Sequence, residues 1–149
     1  MSYKTPASVL VLIHTPDLQV LLIERADKAG FWQSVTGSLE GNESLRDAAI
    51  REVMEETGLD AHVLPLVDWQ LSNVYEIYLH WRHRYAPGVT QNTEHVFGLE
   101  LPAPVAVKLA PQEHVSQQWL DWRKAAGIVF SWTNVEAIRE LGKRHGQVL

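Results

Sequence analysis

The sequence predicts an α+β fold in which a mixed β-sheet is packed between helices. Short apolar runs rich in β-branched residues, separated by turn residues, predict strands along most of the chain. One helix is predicted to interrupt these strands and a second to follow them, which provides helices to cover a sheet. The 149 residues, of which 46% are hydrophobic, suffice for a single domain, 1–149, with its own core.

The first elements are predicted to be strands joined by polar turns. Residues 8–14, SVLVLIH, and residues 20–25, VLLIER, are apolar runs on either side of the turn-like sequence TPDLQ. These two strands together predict a hairpin. A polar loop then leads to a short strand at residues 31–38, FWQSVTGS.

A central helix is predicted at residues 44–57. It should end at Gly58, because glycine readily adopts the left-handed conformation that terminates helices. Beyond it, the sequence predicts strands at 61–70, 73–86 and 94–102, a short strand or turn at 116–122, and a closing helix at 134–145.

The composition argues against several classes of protein. A formal net charge of −5 disfavours a nucleic-acid partner, and the basic stretch HWRHR at residues 80–84 is too short to reverse that expectation. No apolar run approaches the ~20 residues that span a bilayer. The N-terminal sequence lacks the pattern of a secretion signal, and the absence of cysteine fits a reducing compartment. We therefore expect a cytoplasmic protein without a membrane partner.

The predicted central helix carries three glutamates close together, Glu52, Glu55 and Glu56. At about 100° of rotation per residue, Glu52 and Glu56 fall one turn apart on one line, with Glu55 beside them. This acidic stripe borders the apolar stripe instead of opposing it, and Arg51 can pair with Glu55 four residues later. A divalent cation such as Mg²⁺ would relieve the repulsion between the acids. On these residues alone, a solvated surface helix is the alternative.

The residues around these glutamates resemble the signature of the Nudix hydrolase family. Residues 37–59 read GSLEGNESLRDAAIREVMEETGL and match all nine specified positions of G-x5-E-x7-R-E-U-x-E-E-x-G-U, where U is aliphatic. One local departure is the order Gly41-Asn42 before Glu43, since many members carry glycine next to this glutamate. Asparagine tolerates the left-handed conformation better than most residues, so we expect a slightly different turn and an intact site.

The resemblance implies an α/β/α sandwich and a loop–helix–loop site for Mg²⁺ or Mn²⁺. It also implies hydrolysis within the phosphate chain of a diphosphate that is linked to another group. On this chain, Glu52 and Glu56 would be the main metal ligands, and Glu55 an additional or exchangeable one. Arg51 would orient these catalytic acids, and Glu43 would brace the loop.

The rest of the chain is similar to the bacterial dihydroneopterin triphosphate pyrophosphatases, the Nudix enzymes of folate synthesis. Residues 31–38, 83–97 and 113–121 carry the similarity. It implies hydrolysis of 7,8-dihydroneopterin triphosphate to the monophosphate and pyrophosphate. It also implies five further site residues: Lys4 and Arg25 for the triphosphate, Thr36 as a phosphate donor, Glu113 as a third metal ligand or as the base, and Ser131 as a ligand contact or helix cap.

The same resemblance assigns recognition of the pterin ring to a stretch of four residues whose backbone groups would read the ring edge. On an unbroken strand, the first of them would share a face with Trp81 and Tyr85, although core packing is the alternative for any single aromatic residue. The four residues are Tyr75, Glu76, Ile77 and Tyr78.

Several alternatives stay open at this stage. A pyrophosphohydrolase acting on dATP or 8-oxo-dGTP is a close rival, because a purine resembles a pterin. An inactive Nudix-like sensor module is a rival from another class, although the intact box acids argue against it. His114 is an alternative base to Glu113. The number of metal ions and the oligomeric state are also left open.

Overall fold

The computed structural model describes residues 3–147, and within them a seven-stranded mixed sheet carries helices on both faces. The strands are β1 (Ala7–His14), β2 (Gln19–Arg25), β3 (Trp32–Gln33), β4 (Val35–Ser38), β5 (Leu66–Glu76), β6 (Gln91–Glu100) and β7 (His114–Asp121). The helices are α1 (Leu45–Thr57), α2 (Trp122–Ile128) and α3 (Trp132–Arg144), with a 3-10 helix at Leu79–Arg84.

The sheet is built around β1. Its main path runs β3-β2-β1-β6-β5, with β4 added to β1 and β7 added to β2. The β1–β6 pair is parallel along the whole of β1, whereas the other pairs are antiparallel. Because both faces of β1 are covered, Ser8 to His14 form an unbroken buried run that lacks the alternation of a half-exposed strand.

Two hydrophobic cores lie on opposite faces of the sheet. On one face, Ala49 and Val53 of α1 pack in the same core as Val11 of β1. On the other face, Ile138 of α3 packs in the same core as Leu12 of β1. Side chains that alternate along one strand therefore enter different cores. The predicted α+β class and the α/β/α sandwich implied by the resemblance are confirmed.

Helix α1 begins and ends where the sequence predicts. Ser44 caps its N-terminus, because the Ser44 hydroxyl accepts a hydrogen bond from Asp47 N at 3.0 Å. Gly58 closes the helix at a φ of 75°, and its amide donates to Met54 O. This register directs Val53 into the core and leaves Glu52 and its neighbour one turn later at the edge of the sheet.

The chain after β5 differs from the predicted strand at residues 73–86. The strand ends at Glu76, and the 3-10 helix follows after two residues. The Arg82 Nε donates to Ile77 O at 2.9 Å, a local hydrogen bond that folds the segment back on itself. The prediction that Trp81 and Tyr85 continue the strand face of Tyr75 is therefore wrong, because alternating aromatic residues here belong to two different elements.

The predicted hairpin is present, because β1 and β2 pair antiparallel across the turn at residues 15–18. Their pairing is short, with the register pair His14 and Val20, because β4 occupies the edge of β1 from Ser8 to Val11. Helix α2 is not predicted by the sequence, since seven residues are too few to show a helical period.

Among the helices of residues 3–147, none combines the length and apolar character needed to cross a bilayer.

Candidate active site

A cavity of about 1170 Å³ lies at one end of the sheet. Its wall is formed by the N-terminal half of β1, β4, α1, the end of β5, the 3-10 helix, β6 and the start of α3. A cavity of this size suits a ligand of several hundred daltons. The cavity therefore joins elements that are far apart in the sequence.

Most of the predicted site residues meet in this cavity. Arg51 and Glu55 lie outside its lining and contact each other, with Arg51 Nη1 at 3.4 Å from a Glu55 oxygen. The predicted residues in the lining are Lys4, Arg25, Thr36, Glu52, Glu56, Tyr75, Glu76, Ile77, Tyr78, Glu113 and Ser131.

Glu52 and Glu56 form the acidic side of the cavity. Both are buried, with exposed fractions of 8% and 2%. Burial raises the pKa of Glu56 well above its usual range, and the neighbouring Glu52 carboxylate raises it further. The backbone amide of Thr36 opposes this shift, so Thr36 acts on the acid through its main chain. The Oε1 atom of Glu56 has no hydrogen-bond partner among the described residues.

Besides Glu55, Arg51 contacts two acids of the motif, Glu43 and Glu52. Its guanidinium donates to the Glu43 carboxylate at 2.7 and 2.9 Å and to Ser38 O at 2.9 Å. It also donates to Glu52 Oε1 at 2.5 Å. The hydrogen bonds to Arg51 hold the pKa of Glu43 below its usual range, which keeps this carboxylate charged. Arg51 thus ties the loop before α1 to the helix itself.

The remaining acids differ in position. Glu113 lies at the cavity, just before β7, and the Ala26 amide donates to Glu113 O at 2.8 Å, which fixes the main chain there. Its charge contributes to the raised pKa of Glu56. Glu55, in contrast, has a side chain that is 52% exposed. The structure thus groups Glu52, Glu56 and Glu113 and leaves Glu55 at the rim.

His114 is buried behind the acids. Its Nε2 lies 4.0 Å from Glu56 Oε1 and 3.1 Å from Gln33 Nε2. Burial, together with the charge of Arg25, lowers the pKa of His114 to about 4. The ring is therefore neutral at neutral pH.

The acids fit a divalent cation held jointly by protein and substrate. Within residues 3–147, no cluster of three or more His, Cys, Asp or Glu side chains has the geometry of a complete metal site. However, Glu56 has a buried oxygen without a hydrogen-bond partner among the described residues, and the carboxylate of Glu52 lies beside it. Mg²⁺ is usually bound through one or two carboxylates together with phosphate oxygens and water. Glu52 and Glu56, with Glu113 nearby, have the donor chemistry that such binding requires.

Cationic side chains border the same cavity. Lys4 is held by its backbone, because its amide donates to Arg84 O at 2.8 Å. Burial and the adjacent Arg84 guanidinium lower the pKa of Lys4, and the Glu52 carboxylate opposes this shift. Arg25 also lines the cavity, but its guanidinium already pairs with Asp27 at 2.7 and 2.8 Å.

Aromatic side chains form another part of the wall. Tyr78 and Trp81 lie edge to face at 5.2 Å, and both line the cavity. Tyr85 joins them, although the three do not share a strand. Ser131 also lines the cavity while it caps α3, because its hydroxyl accepts from Asn134 N at 3.3 Å. Both roles considered for Ser131 are therefore compatible with its position.

Sequence reasoning missed three polar residues: Arg84 and Glu94 line the cavity, and Asn92 lies two residues before Glu94 on β6. Arg84 stacks on Trp81 with 5.7 Å between the guanidinium carbon and the ring centroid. Glu94 and Asn92 are buried on β6, with exposed fractions of 4% and 1%. The signal for the latter pair was available, because Asn92 and Glu94 alternate in register with the buried Val96.

One family of known proteins matches nearly the whole chain. The NUDIX domain family matches residues 4–144. The chain belongs to the Nudix family. The Nudix motif at residues 37–59 accordingly forms the turn, helix and glycine stop that carry Glu52 and Glu56. Nudix hydrolases generally use divalent metal ions, in agreement with the donor chemistry of the acids.

Two curated relatives of this Nudix chain are named dihydroneopterin triphosphate diphosphatase. The Escherichia coli K12 protein is 47% identical over 141 residues, which is 93% of each chain. The Haemophilus influenzae protein is 40% identical over 143 residues, covering 94% of this chain and 89% of the relative.

Two solved structures are similar to this chain in fold. The E. coli dihydroneopterin triphosphate pyrophosphohydrolase superimposes with a TM-score of 0.84 at 46% identity, covering 94% of this chain and 97% of that one. A Nudix hydrolase from Listeria monocytogenes shares the fold with a TM-score of 0.80 at 22% identity, covering 95% of each chain. The predicted family and fold are confirmed.

Proposed function

We propose that this Nudix hydrolase converts 7,8-dihydroneopterin triphosphate to dihydroneopterin monophosphate and pyrophosphate, a step of folate synthesis. The proposal rests mainly on the observation that one cavity contains side chains suited to both ends of this substrate. Acids and cations that suit a metal-bound triphosphate lie in the same space as an aromatic wall and polar residues that suit a pterin ring. The names of the relatives, at 40% and 47% identity over nearly the whole chain, support the same substrate.

The proposed reaction cleaves one phosphoanhydride bond with water. The water oxygen is added to phosphorus, the P–O bond between the α- and β-phosphates breaks, and pyrophosphate leaves. Lys4 and Arg84 would hold the phosphate chain by charge and hydrogen bonding. Glu52 and Glu56 would hold Mg²⁺, with Mn²⁺ as a substitute. When bound, the ion neutralises phosphate charge and lowers the pKa of water.

Proton transfer in this proposal falls to Glu113 or to His114. Glu113 lies at the cavity and is the base, or a third metal ligand, that the family resemblance implies. His114 is neutral at neutral pH and could accept a proton, but its Nε2 is buried between Gln33 and Glu56. We favour Glu113, since an attacking water can reach an exposed carboxylate more easily than a buried ring.

Two other functions remain candidates. Hydrolysis of dATP or 8-oxo-dGTP would use the same acids and cations, because the phosphate end of the cavity does not distinguish a pterin from a purine. A sensor module without catalysis is disfavoured, because the motif acids are present and Arg51 holds Glu43 and Glu52 in place. Among locations, we propose the cytoplasm, since the absence of cysteine fits a reducing compartment.

A substrate panel tests the proposal. Purified protein with Mg²⁺ would be assayed on dihydroneopterin triphosphate, dATP, 8-oxo-dGTP, ADP-ribose and a dinucleoside polyphosphate, with kcat/KM measured from product release. The pterin substrate should give the highest kcat/KM. If dATP or 8-oxo-dGTP exceeds it by about tenfold, a difference of roughly 1.4 kcal/mol in transition-state stabilisation, the assignment to folate synthesis is wrong.

A further inference from the structure

Glu94 is an acid that the phosphate chemistry of the site does not use. It lies on β6 in the lining of the cavity, and its exposed fraction is 4%. Its Oε1 atom has no hydrogen-bond partner among the described residues. An unpaired carboxylate in such a position costs free energy unless a ligand or a neighbour supplies hydrogen-bond donors.

The neighbours of Glu94 do not meet this requirement. Ser8 faces Glu94 across the β1–β6 pair, and its hydroxyl oxygen accepts from Asn92 Nδ2 at 2.8 Å, but no hydrogen bond from it reaches Glu94 Oε1. Asn73 faces Glu94 across the β5–β6 pair, and its Nδ2 also lacks a partner, so no bond joins the two side chains. Among residues 3–147, a hydrogen bond from Thr133, at the start of α3, is what favours the charged carboxylate of Glu94.

The surroundings of Glu94 are suited to a flat, polar ring. Tyr75, on the neighbouring strand β5, is close enough for the Glu94 charge to raise its pKa, which burial and nearby groups bring to about 12. Tyr78 and Trp81 supply aromatic surface in the same cavity. One unpartnered acceptor, Glu94 Oε1, therefore lies in the same cavity as these aromatic rings.

We infer that Glu94 reads the donor edge of the pterin ring, accepting hydrogen bonds from its N3–H and 2-amino groups. A pterin presents these two donors side by side, and a carboxylate accepts both in one plane. This inference rests on the proposed function for the pterin itself. Guanine carries the same 2-amino-4-oxopyrimidine edge, and Glu94 would accept it as well.

Adenine would be discriminated against by the same carboxylate. Its corresponding edge carries an acceptor, N1, beside the 6-amino donor. Adenine N1 would then face an oxygen of the Glu94 carboxylate. Because both atoms are hydrogen-bond acceptors and neither carries a proton, no hydrogen bond could form between them. A site built to hydrogen-bond one edge rejects an analogue that lacks the matching donors. Glu94 thus becomes the specificity-determining residue for the ring, whereas the motif acids act on the phosphates.

The Glu94→Gln variant tests this assignment. Its amide can pair with adenine but offers one acceptor in place of two. We expect the ratio of kcat/KM for dihydroneopterin triphosphate to kcat/KM for dATP to fall at least about tenfold, through a higher KM for the pterin. Glu100→Gln, an exposed glutamate at the other end of β6, should leave the ratio unchanged. An equal loss on both substrates, or no loss, overturns the inference.

A ligand-side test with the native protein avoids any folding defect in the variant. Neopterin and 3-methylneopterin would be compared as inhibitors of dATP hydrolysis, because the methyl group removes the N3–H donor. Neopterin should inhibit at a concentration at least about tenfold lower. Equal inhibition by the two compounds overturns the role of Glu94.

A comparison of dGTP with dATP separates this inference from the proposed function. If the native protein does not hydrolyse the pterin triphosphate, the proposed function fails. The role of Glu94 is then decided by whether native protein prefers dGTP to dATP and Glu94→Gln loses that preference.

Discussion

The carboxylate of Glu52 occupies the space that a side chain on Gly37 would require. Gly37 lies on β4 opposite Val9 of β1, and Glu52 reaches it from the adjacent helix α1. A Cβ at this position would overlap the carboxyl group at a distance that real Cβ atoms essentially never show. The first glycine of the motif is therefore required by the position of the Glu52 carboxylate.

Replacing this glycine should damage catalysis more than folding. In Gly37→Ala, Glu52 has to move away from the added methyl group, and we expect kcat to fall about 10- to 100-fold, as when other groups that position metal ligands are altered. Gly127→Ala in α2 is the matched control, because its added methyl meets no atom within 4 Å. Wild-type turnover by Gly37→Ala, measured beside thermal unfolding, would show that Glu52 can shift without consequence.

The geometry of Arg51 predicts that lysine cannot replace it. Lysine keeps the charge but lacks the planar fork that bonds Glu43 through two nitrogens while it reaches Ser38 O and Glu52. We expect Arg51→Lys to weaken Mn²⁺ binding and lower kcat by about 10- to 100-fold. Arg139→Lys, an exposed change on α3, is the control. Equal Mn²⁺ affinity in the two variants would contradict an orienting role.

Glu94 predicts an unusual dependence of stability on pH. Burial raises its pKa from 4.5 to about 7, so the folded protein binds more protons than the unfolded chain between these values. The free energy of unfolding should therefore fall as pH rises through this window, by about 3 kcal/mol from this group. The Glu94→Gln variant has no charge to bury at this position. Its free energy of unfolding should therefore exceed that of native protein at pH 8 and be nearly equal to it below pH 4.5.

Urea unfolding of both proteins at several pH values measures this difference. Glu100→Gln serves as the control, since Glu100 is exposed on the same strand. A gap between Glu94→Gln and native protein that does not change with pH would refute the linkage. On this account the charged form of Glu94 lowers the stability of the fold and improves substrate binding. Such a trade-off between stability and activity is common at binding sites.

The different positions of Glu52 and Glu55 predict that replacing them by glutamine lowers kcat to different extents. The Glu55 side chain is 52% exposed and outside the cavity lining, whereas Glu52 is buried within it. We expect Glu55→Gln to reduce kcat by no more than about tenfold and Glu52→Gln by at least about 100-fold. Steady-state assays at saturating Mg²⁺ would rank the two. An equal loss would mean that Glu55 moves inward when metal and substrate bind.

Much of the fold and site could be predicted because the determining signals are local. The cap at Ser44, the stop at Gly58 and the rotation between Glu52 and Glu56 all lie within one short stretch. The position of Lys4 against Arg84 could not be read in this way, because it depends on a contact between segments 80 residues apart in sequence.

The errors have a common physical origin. Aromatic alternation after residue 76 suggested a strand, but a local hydrogen bond from Arg82 to Ile77 O turns the chain instead. The burial of Glu94 depends on β1, β5 and α3 together, so the pattern of its own strand does not identify it as a cavity residue. Tertiary packing outweighs local pattern at both places.

The central claim is that Glu56 and Glu52 hold a divalent ion that the substrate phosphates share. The most direct test is the dissociation constant of Mn²⁺, measured by the electron paramagnetic resonance signal of the free ion, for native protein, Glu56→Gln and the exposed control Glu136→Gln. We predict that Glu56→Gln binds Mn²⁺ at least about tenfold more weakly, whereas the control matches native protein. Unchanged Mn²⁺ affinity in Glu56→Gln would contradict the account.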